Sequence, residues 1–178
     1  MPRFKLLILD ANEVILLHEF GLWARVTQRC EVYLARTVVE DEAIFFEKNS
    51  VREPIDLSED LSSQRIHVFD VTIADINRFR SQFDSIYVGE LDPGETESLA
   101  FMMQSKEAYL ISSGDAIVYR VLGLMNRGEQ GMSLEELLDT IGLGRSKLPW
   151  SCQKAFREKY TREGELDSVL GKGLKRSV

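Results

Sequence analysis

A three-layer α/β/α fold with a mostly parallel central sheet, extended by helices at its C-terminal end, is the class this sequence predicts. Two observations carry it. Short apolar runs alternate with stretches of helical period, and strands alternating with helices imply a parallel sheet covered on both faces. The first run, Phe4 to Leu9, is nearly continuous in its apolar residues, as a strand buried on both faces should be. The pattern divides the chain into an α/β domain at residues 1–128 and a helical extension at 129–178.

Asp10 closes the first strand, and Val14, Ile15, Leu17, Leu22 and Val26 then recur at helical spacing, predicting a helix from about Ala11 to Gln28 that breaks near Gly21. Glu31 to Ala35 is a second strand. Thr37, with Glu40 three residues on, has the spacing of a capping box and opens a helix through Phe46. Residues 50–64 mix Pro54, serines and acids without period and read as a loop. Ile66 to Val71 is a third strand; Thr72 and Asp75 cap a helix ending near Phe83. Leu91-Asp92-Pro93-Gly94 is turn chemistry leading into a helix from about Glu95 to Gln104. Ala108 to Ser112 is the fourth strand and Ala116 to Met125 the following helix. Ser133 and Glu136 begin a short helix to Thr140, and the chain from about Pro149 is amphipathic, then polar.

Composition narrows the function. With 178 residues, 44% apolar and 29% charged, the chain has the balance of a globular domain, and a formal net charge of -7 excludes coating nucleic acid through bulk charge. Any nucleic-acid contact must be a local patch. Cys30 and Cys152 form no CxxC pair, and only His18 and His67 could join them, so a structural zinc site is excluded. The run Leu6 to Leu9 is too short for a signal peptide, and no apolar stretch approaches the ~20 residues that cross a bilayer. Few cysteines and no membrane segment place the expected protein in the cytoplasm. The basic tail, Lys172 to Arg176, has the character of a frayed terminus or of a contact to RNA or a partner.

The chemistry lies in the acids. Asp10 and Asp115 each follow an apolar strand, where an aspartate caps the next helix or faces a ligand beyond the strand ends. In Glu40-Asp41-Glu42, a helical wheel turns Glu42 toward the apolar face and leaves Glu40 and Asp41 solvated. Glu95 and Glu97 lie on opposite sides of their helix, so only one can face a common site, and periodicity does not choose between them. Carboxylates that share a hollow take up protons unless a cation neutralises them, and an all-oxygen set suits Mg²⁺ or Mn²⁺.

Over residues 4–127 these motifs resemble the PIN-domain nuclease family, in its VapC-toxin-like branch. Asp10-Ala11-Asn12 after a strand looks like the family's opening motif, and Gly94-Glu95-Thr96-Glu97-Ser98-Leu99-Ala100 is similar to a Gly-Glu-x-Glu-Ala run of one branch. Ile111-Ser112-Ser113-Gly114-Asp115 resembles the segment supplying the fourth acid, with Gly114 where that branch has a further aspartate. The resemblance implies a metal-dependent endoribonuclease with Asp10, Glu42, Glu97 and Asp115 as catalytic metal ligands for Mg²⁺ or Mn²⁺. It implies Asn12 and Ser113 as residues that orient the ligands, and Arg36 and Arg120 as phosphate contacts. RNA is the implied substrate, with an antitoxin protein and a homodimer as the partners the branch allows.

Two other readings compete. A haloacid-dehalogenase-like phosphatase also opens with a strand ending in aspartate, but expects an acid where Asn12 stands. A non-catalytic PIN-like interaction module is favoured by Gly114 and by the acidic net charge. The glycines and lysine of residues 142–147 lack P-loop spacing and read as a connector.

Overall fold

The computed structural model describes residues 4–175. Its centre is a four-stranded, all-parallel sheet in the order β5-β2-β1-β6, made of β1 (Phe4–Leu9), β2 (Cys30–Ala35), β5 (Ile66–Phe69) and β6 (Leu110–Ser112). Leu7, Ile8 and Leu9 are fully buried, which is why β1 shows no alternation: it lies between two strands, with helices over both faces. All four strands fall where the apolar runs predict them.

The helix after β1 is broken at Gly21, whose φ of 65° is left-handed, giving α1 (Ala11–Glu19) and α2 (Trp23–Arg29). Beyond β2 the structure departs from the sequence reading. No capping box forms at Thr37, and no α-helix runs through Phe46. Residues Val38–Glu42 make one π turn, closed by the Ala43 N–H to the Val38 carbonyl at 2.8 Å. The reason is competition: the Thr37 hydroxyl donates to Glu97 at 2.8 Å and Glu40 pairs with Arg36 at 3.0 Å, so neither is free to cap.

The chain then forms an antiparallel hairpin, β3 (Phe45–Lys48) and β4 (Val51–Pro54), turning on Asn49 and Ser50. Both have positive φ, 51° and 61°, the pair of values a type I′ turn demands. The expected loop at 50–64 contains this second strand and α3 (Ser58–Ser62).

Thr72 caps α4 (Ile73–Arg80), accepting from the Asp75 N–H at 3.1 Å. A further short helix, α5 (Ser85–Glu90), is capped by Asp84. Asp92 and Glu95 form a capping box on α6 (Pro93–Gln104), and α7 (Ala116–Leu124) follows β6. In the C-terminal part, Ser133 and Glu136 cap α8 (Leu134–Thr140) and the chain ends in α9 (Lys154–Val169).

Leu134, Leu137, Leu138, Cys152 and Phe156 join the same buried cluster as the sheet. Helices α7 and α9 cross so closely that a Cβ on Gly123 would collide with the Thr161 carbonyl, and one on Gly164 with the Arg120 carbonyl. The tail is pinned rather than frayed as far as Lys175: Asp84 N–H bonds the Gly173 carbonyl and Lys175 N–H the Gln82 carbonyl, each at 2.8 Å. Arg176 lies outside the described residues. Among the described residues no helix is long and apolar enough to cross a membrane.

Candidate metal centre

The parallel pairing of β1 with β6, in register Leu9 to Ser112, sets the ends of these two strands side by side. Asp10 leaves β1 there and Asp115 opens α7. Asp10 is 3% exposed and accepts from the Ala11 N–H at 2.6 Å and from the Ser113 hydroxyl at 2.9 Å. Ser113 is itself fixed, because its hydroxyl accepts from the Asp115 N–H at 3.0 Å. Its backbone meets the buried Tyr119 hydroxyl, which donates to the Ser113 carbonyl at 2.8 Å. Asp115 occupies the N-cap of α7 but makes no side-chain cap bond; one oxygen accepts from the Asn12 amide at 2.9 Å. Its carboxylate is therefore turned to the strand ends and not spent on the helix.

Helix α6 adds Glu95. The Asp92–Glu95 capping box bends Glu95 back, with one oxygen accepting from the Asp92 N–H at 3.0 Å. Its other oxygen, Oε1, is buried without a hydrogen-bond partner among the described residues. One carboxylate oxygen from each of Asp10, Glu95 and Asp115 lies within 4.8 Å of the others, and Asp10, Glu42 and Asp92 form a second such group. Asp10 is common to both.

Glu42 arrives from the π turn. One of its oxygens accepts from the Gly94 N–H at 3.0 Å, and the other, Oε2, is buried and unpartnered among the described residues. The approach needs glycine, since a Cβ on Gly94 would overlap Oε2. Glu13, on α1 one turn past Asp10, is fully buried with neither oxygen hydrogen-bonded among the described residues.

Packing so many acids together raises their proton affinity. Burial pushes Asp10 up to about 7; the Ser113 hydrogen bond opposes this, and repulsion from Asp92 and Asp115 adds to it. Burial, with repulsion from Asp10 and Asp115, pushes Glu13 up to about 8. Glu95 is pushed up to about 9, again mainly by burial. Glu42 and Asp92 are raised, by burial first and then by acidic neighbours.

Orphaned oxygens in a half-neutralised oxygen cage fit a hard divalent cation, which would supply the positive charge that the described residues do not place there. The two groups of acids are thus geometrically compatible with Mg²⁺ or Mn²⁺. Asp10, Glu42 and Asp115, named by the sequence, belong to them. Glu97 does not: its carboxylate accepts from the Thr37 hydroxyl at 2.8 Å and the Thr37 N–H at 3.3 Å.

Arg36 pairs with Asp70 through two bonds and with Glu40, while Arg120 pairs with Glu90 at 3.4 Å and Asp167 at 3.3 Å. Both arginines are held by protein carboxylates. The histidines serve packing: His18 stacks on Trp23 and His67 on Tyr33.

Sequence reasoning left Glu95 and Glu97 undecided, with the resemblance choosing Glu97, and passed over Asp92 as a member of the group and Glu13 as a buried neighbour of it. The signal for Glu95 and Asp92 was the Asp-x-x-Glu spacing at 92–95, which folds the glutamate back toward the helix start. For Glu13 it was an acid in an otherwise apolar helix face. Set against models of protein families, curated proteins and solved structures, the chain returns no match.

Proposed function

We propose that this chain is a PIN-like, Mg²⁺- or Mn²⁺-dependent endoribonuclease that hydrolyses phosphodiester bonds, and that it acts as the toxin of a toxin–antitoxin pair. The observation that supports the hydrolase reading is the meeting of Asp10, Glu95 and Asp115, drawn from three distant segments, with oxygens within 4.8 Å and Glu95 Oε1 buried and unpartnered.

Asp10, Glu95 and Asp115 would hold the cation, with Glu42 and Asp92 holding a neighbouring position through the shared Asp10. When bound, such a cation lowers the pKa of water and offsets charge on a phosphoryl oxygen. The protein's part is to keep the ligands oriented. Ser113 fixes Asp10, Asn12 fixes Asp115, and the α6 capping box fixes Glu95. No side chain needs to act as nucleophile in this scheme.

The test is incubation of the purified protein with labelled single-stranded RNA and Mn²⁺, beside Asp10→Asn and Asp115→Asn. Cutting that either substitution or a chelator abolishes is the expected result. Cutting that persists in both variants belongs to a contaminant or another site. Mn²⁺ binding without cutting leaves the non-catalytic module as the better description.

A further inference from the structure

Between Thr140 and Glu158 the chain carries Arg145, Lys147, Lys154 and Arg157 and no acid, in a protein of formal net charge -7. Lys154 and Arg157 are paired with Glu158 and Glu136. Arg145 and Lys147 are exposed, and among the described residues neither meets a carboxylate. The Arg145 guanidinium lies over the Phe20 ring, 4.0 Å from its centre, just past the end of α1. Five residues on from Arg145 the chain makes the single turn Trp150–Cys152. The Ser151 hydroxyl is 3.7 Å from where a Cβ on Gly114 would lie, and that same point is 3.6 Å from Asn12 Cβ. Asn12 is the residue whose amide holds Asp115.

One cationic strip therefore ends at the rim of the acidic centre, and an aromatic ring stands at that end. Trp150 is 51% exposed, its ring perpendicular to Phe156 with centroids 6.0 Å apart. A cluster of carboxylates repels a polyanion, so a substrate strand needs positive charge close by to dwell there. Exposed aromatics beside cations are how proteins hold unpaired bases, because every base offers a π face, whereas a duplex keeps its faces stacked inside.

We infer that residues 145–151 form a track for single-stranded RNA, with Arg145 and Lys147 against its phosphates and an unpaired base stacked on Trp150 beside the acidic centre. The inference rests on the nuclease reading above and names its substrate class. It also gives the C-terminal part of the chain a role at the site, through Ser151, whose hydroxyl lies beside Gly114.

The test is fluorescence anisotropy with a short, labelled, unstructured oligoribonucleotide in chelator, which separates binding from cutting. Trp150→Ala should bind roughly tenfold more weakly, and Trp150→Phe should recover most of the loss. Arg145→Ala combined with Lys147→Ala should flatten the slope of log affinity against log salt by about 1.4, two single-strand phosphate contacts' worth. Trp23 is buried, so quenching of indole emission by RNA should report Trp150 and vanish in Trp150→Phe. Thermal melts establish that each variant folds.

Unchanged affinity and salt slope in all the variants overturn the track, as does a duplex RNA that binds as tightly as the single strand. A native protein that cuts RNA with Mn²⁺ while the variants match it in binding loses the track alone. One that binds through these residues but never cuts loses the nuclease reading and keeps the track.

Discussion

The Ser113 hydroxyl donates a 2.9 Å hydrogen bond to Asp10, a residue 103 positions away in the chain, and so locks one carboxylate oxygen of the acidic centre in place. The same hydroxyl accepts from the Asp115 N–H. Ser113→Ala removes both bonds and leaves Asp10 buried with less support for its charged form. Mn²⁺ affinity, read by titration calorimetry, should fall about tenfold, the scale seen when a ligand loses the group that orients it. An unchanged affinity would show that Asp10 needs no such fixing.

Glu95 and Glu97 make opposite predictions. Glu95→Gln takes away an oxygen that lies within 4.8 Å of Asp10 and Asp115, and should weaken Mn²⁺ binding by more than about tenfold. Glu97→Gln loses a charge-assisted bond to Thr37 and should cost about 1 kcal/mol of stability while sparing metal affinity. Calorimetry and chemical denaturation on the two variants separate the effects; a metal defect in Glu97→Gln alone would transfer the ligand role.

Acidity should stabilise the metal-free protein. Asp10, Glu13 and Glu95 are raised to about 7, 8 and 9, so the folded chain binds more protons than the unfolded chain above pH about 4. Stability from these groups is full below the unfolded values and is lost as pH rises through the folded ones. In chelator, Tm should fall between pH 5 and pH 8.5. Added Mn²⁺ should restore it more at the alkaline end, where the acids give up their protons to the cation. Glu13→Gln should flatten the decline; a level profile in the native protein would contradict the proton uptake.

The crossing of α7 and α9 predicts a stability effect remote from the acids. A methyl at Gly123 or Gly164 meets backbone atoms of the other helix, a carbonyl oxygen nearest, and these cannot swing aside as a side chain would. Either Gly→Ala should cost about 3 kcal/mol, near 8 °C in a melt of a chain this size. Because α7 begins immediately after Asp115, metal affinity should fall with it.

Much of this architecture was legible. Continuous apolar runs marked the four strands, Gly21 marked the break, and Thr72 and Ser133 marked two helix starts, because each depends on local chemistry. That Asp10 and Asp115 share one edge of the sheet followed from parallel topology; that their strands are neighbours did not. The hairpin at 45–54 was hidden, since Phe45 and Phe46 extend a helical spacing and the turn uses Asn49 and Ser50 instead of glycine. Thr37 looked like a cap because sequence spacing cannot show that Glu97, 60 residues on, competes for its hydroxyl. Glu95 could not be told from Glu97 by period alone; what decides is the backward bend of the capping box, a tertiary consequence of a local motif.

Strand β1 is buried in the middle of the sheet, yet its β6 neighbour and Asp115 leave the ribosome about a hundred residues after it. Until then Asp10 has no Ser113 to hold it and no companion from the far edge. Until β6 arrives the nascent chain carries an apolar strand with one edge open, exposed to mispairing and to chaperones. Whatever chemistry the assembled acids perform can begin only after Asp115 has been made and β6 has joined the sheet.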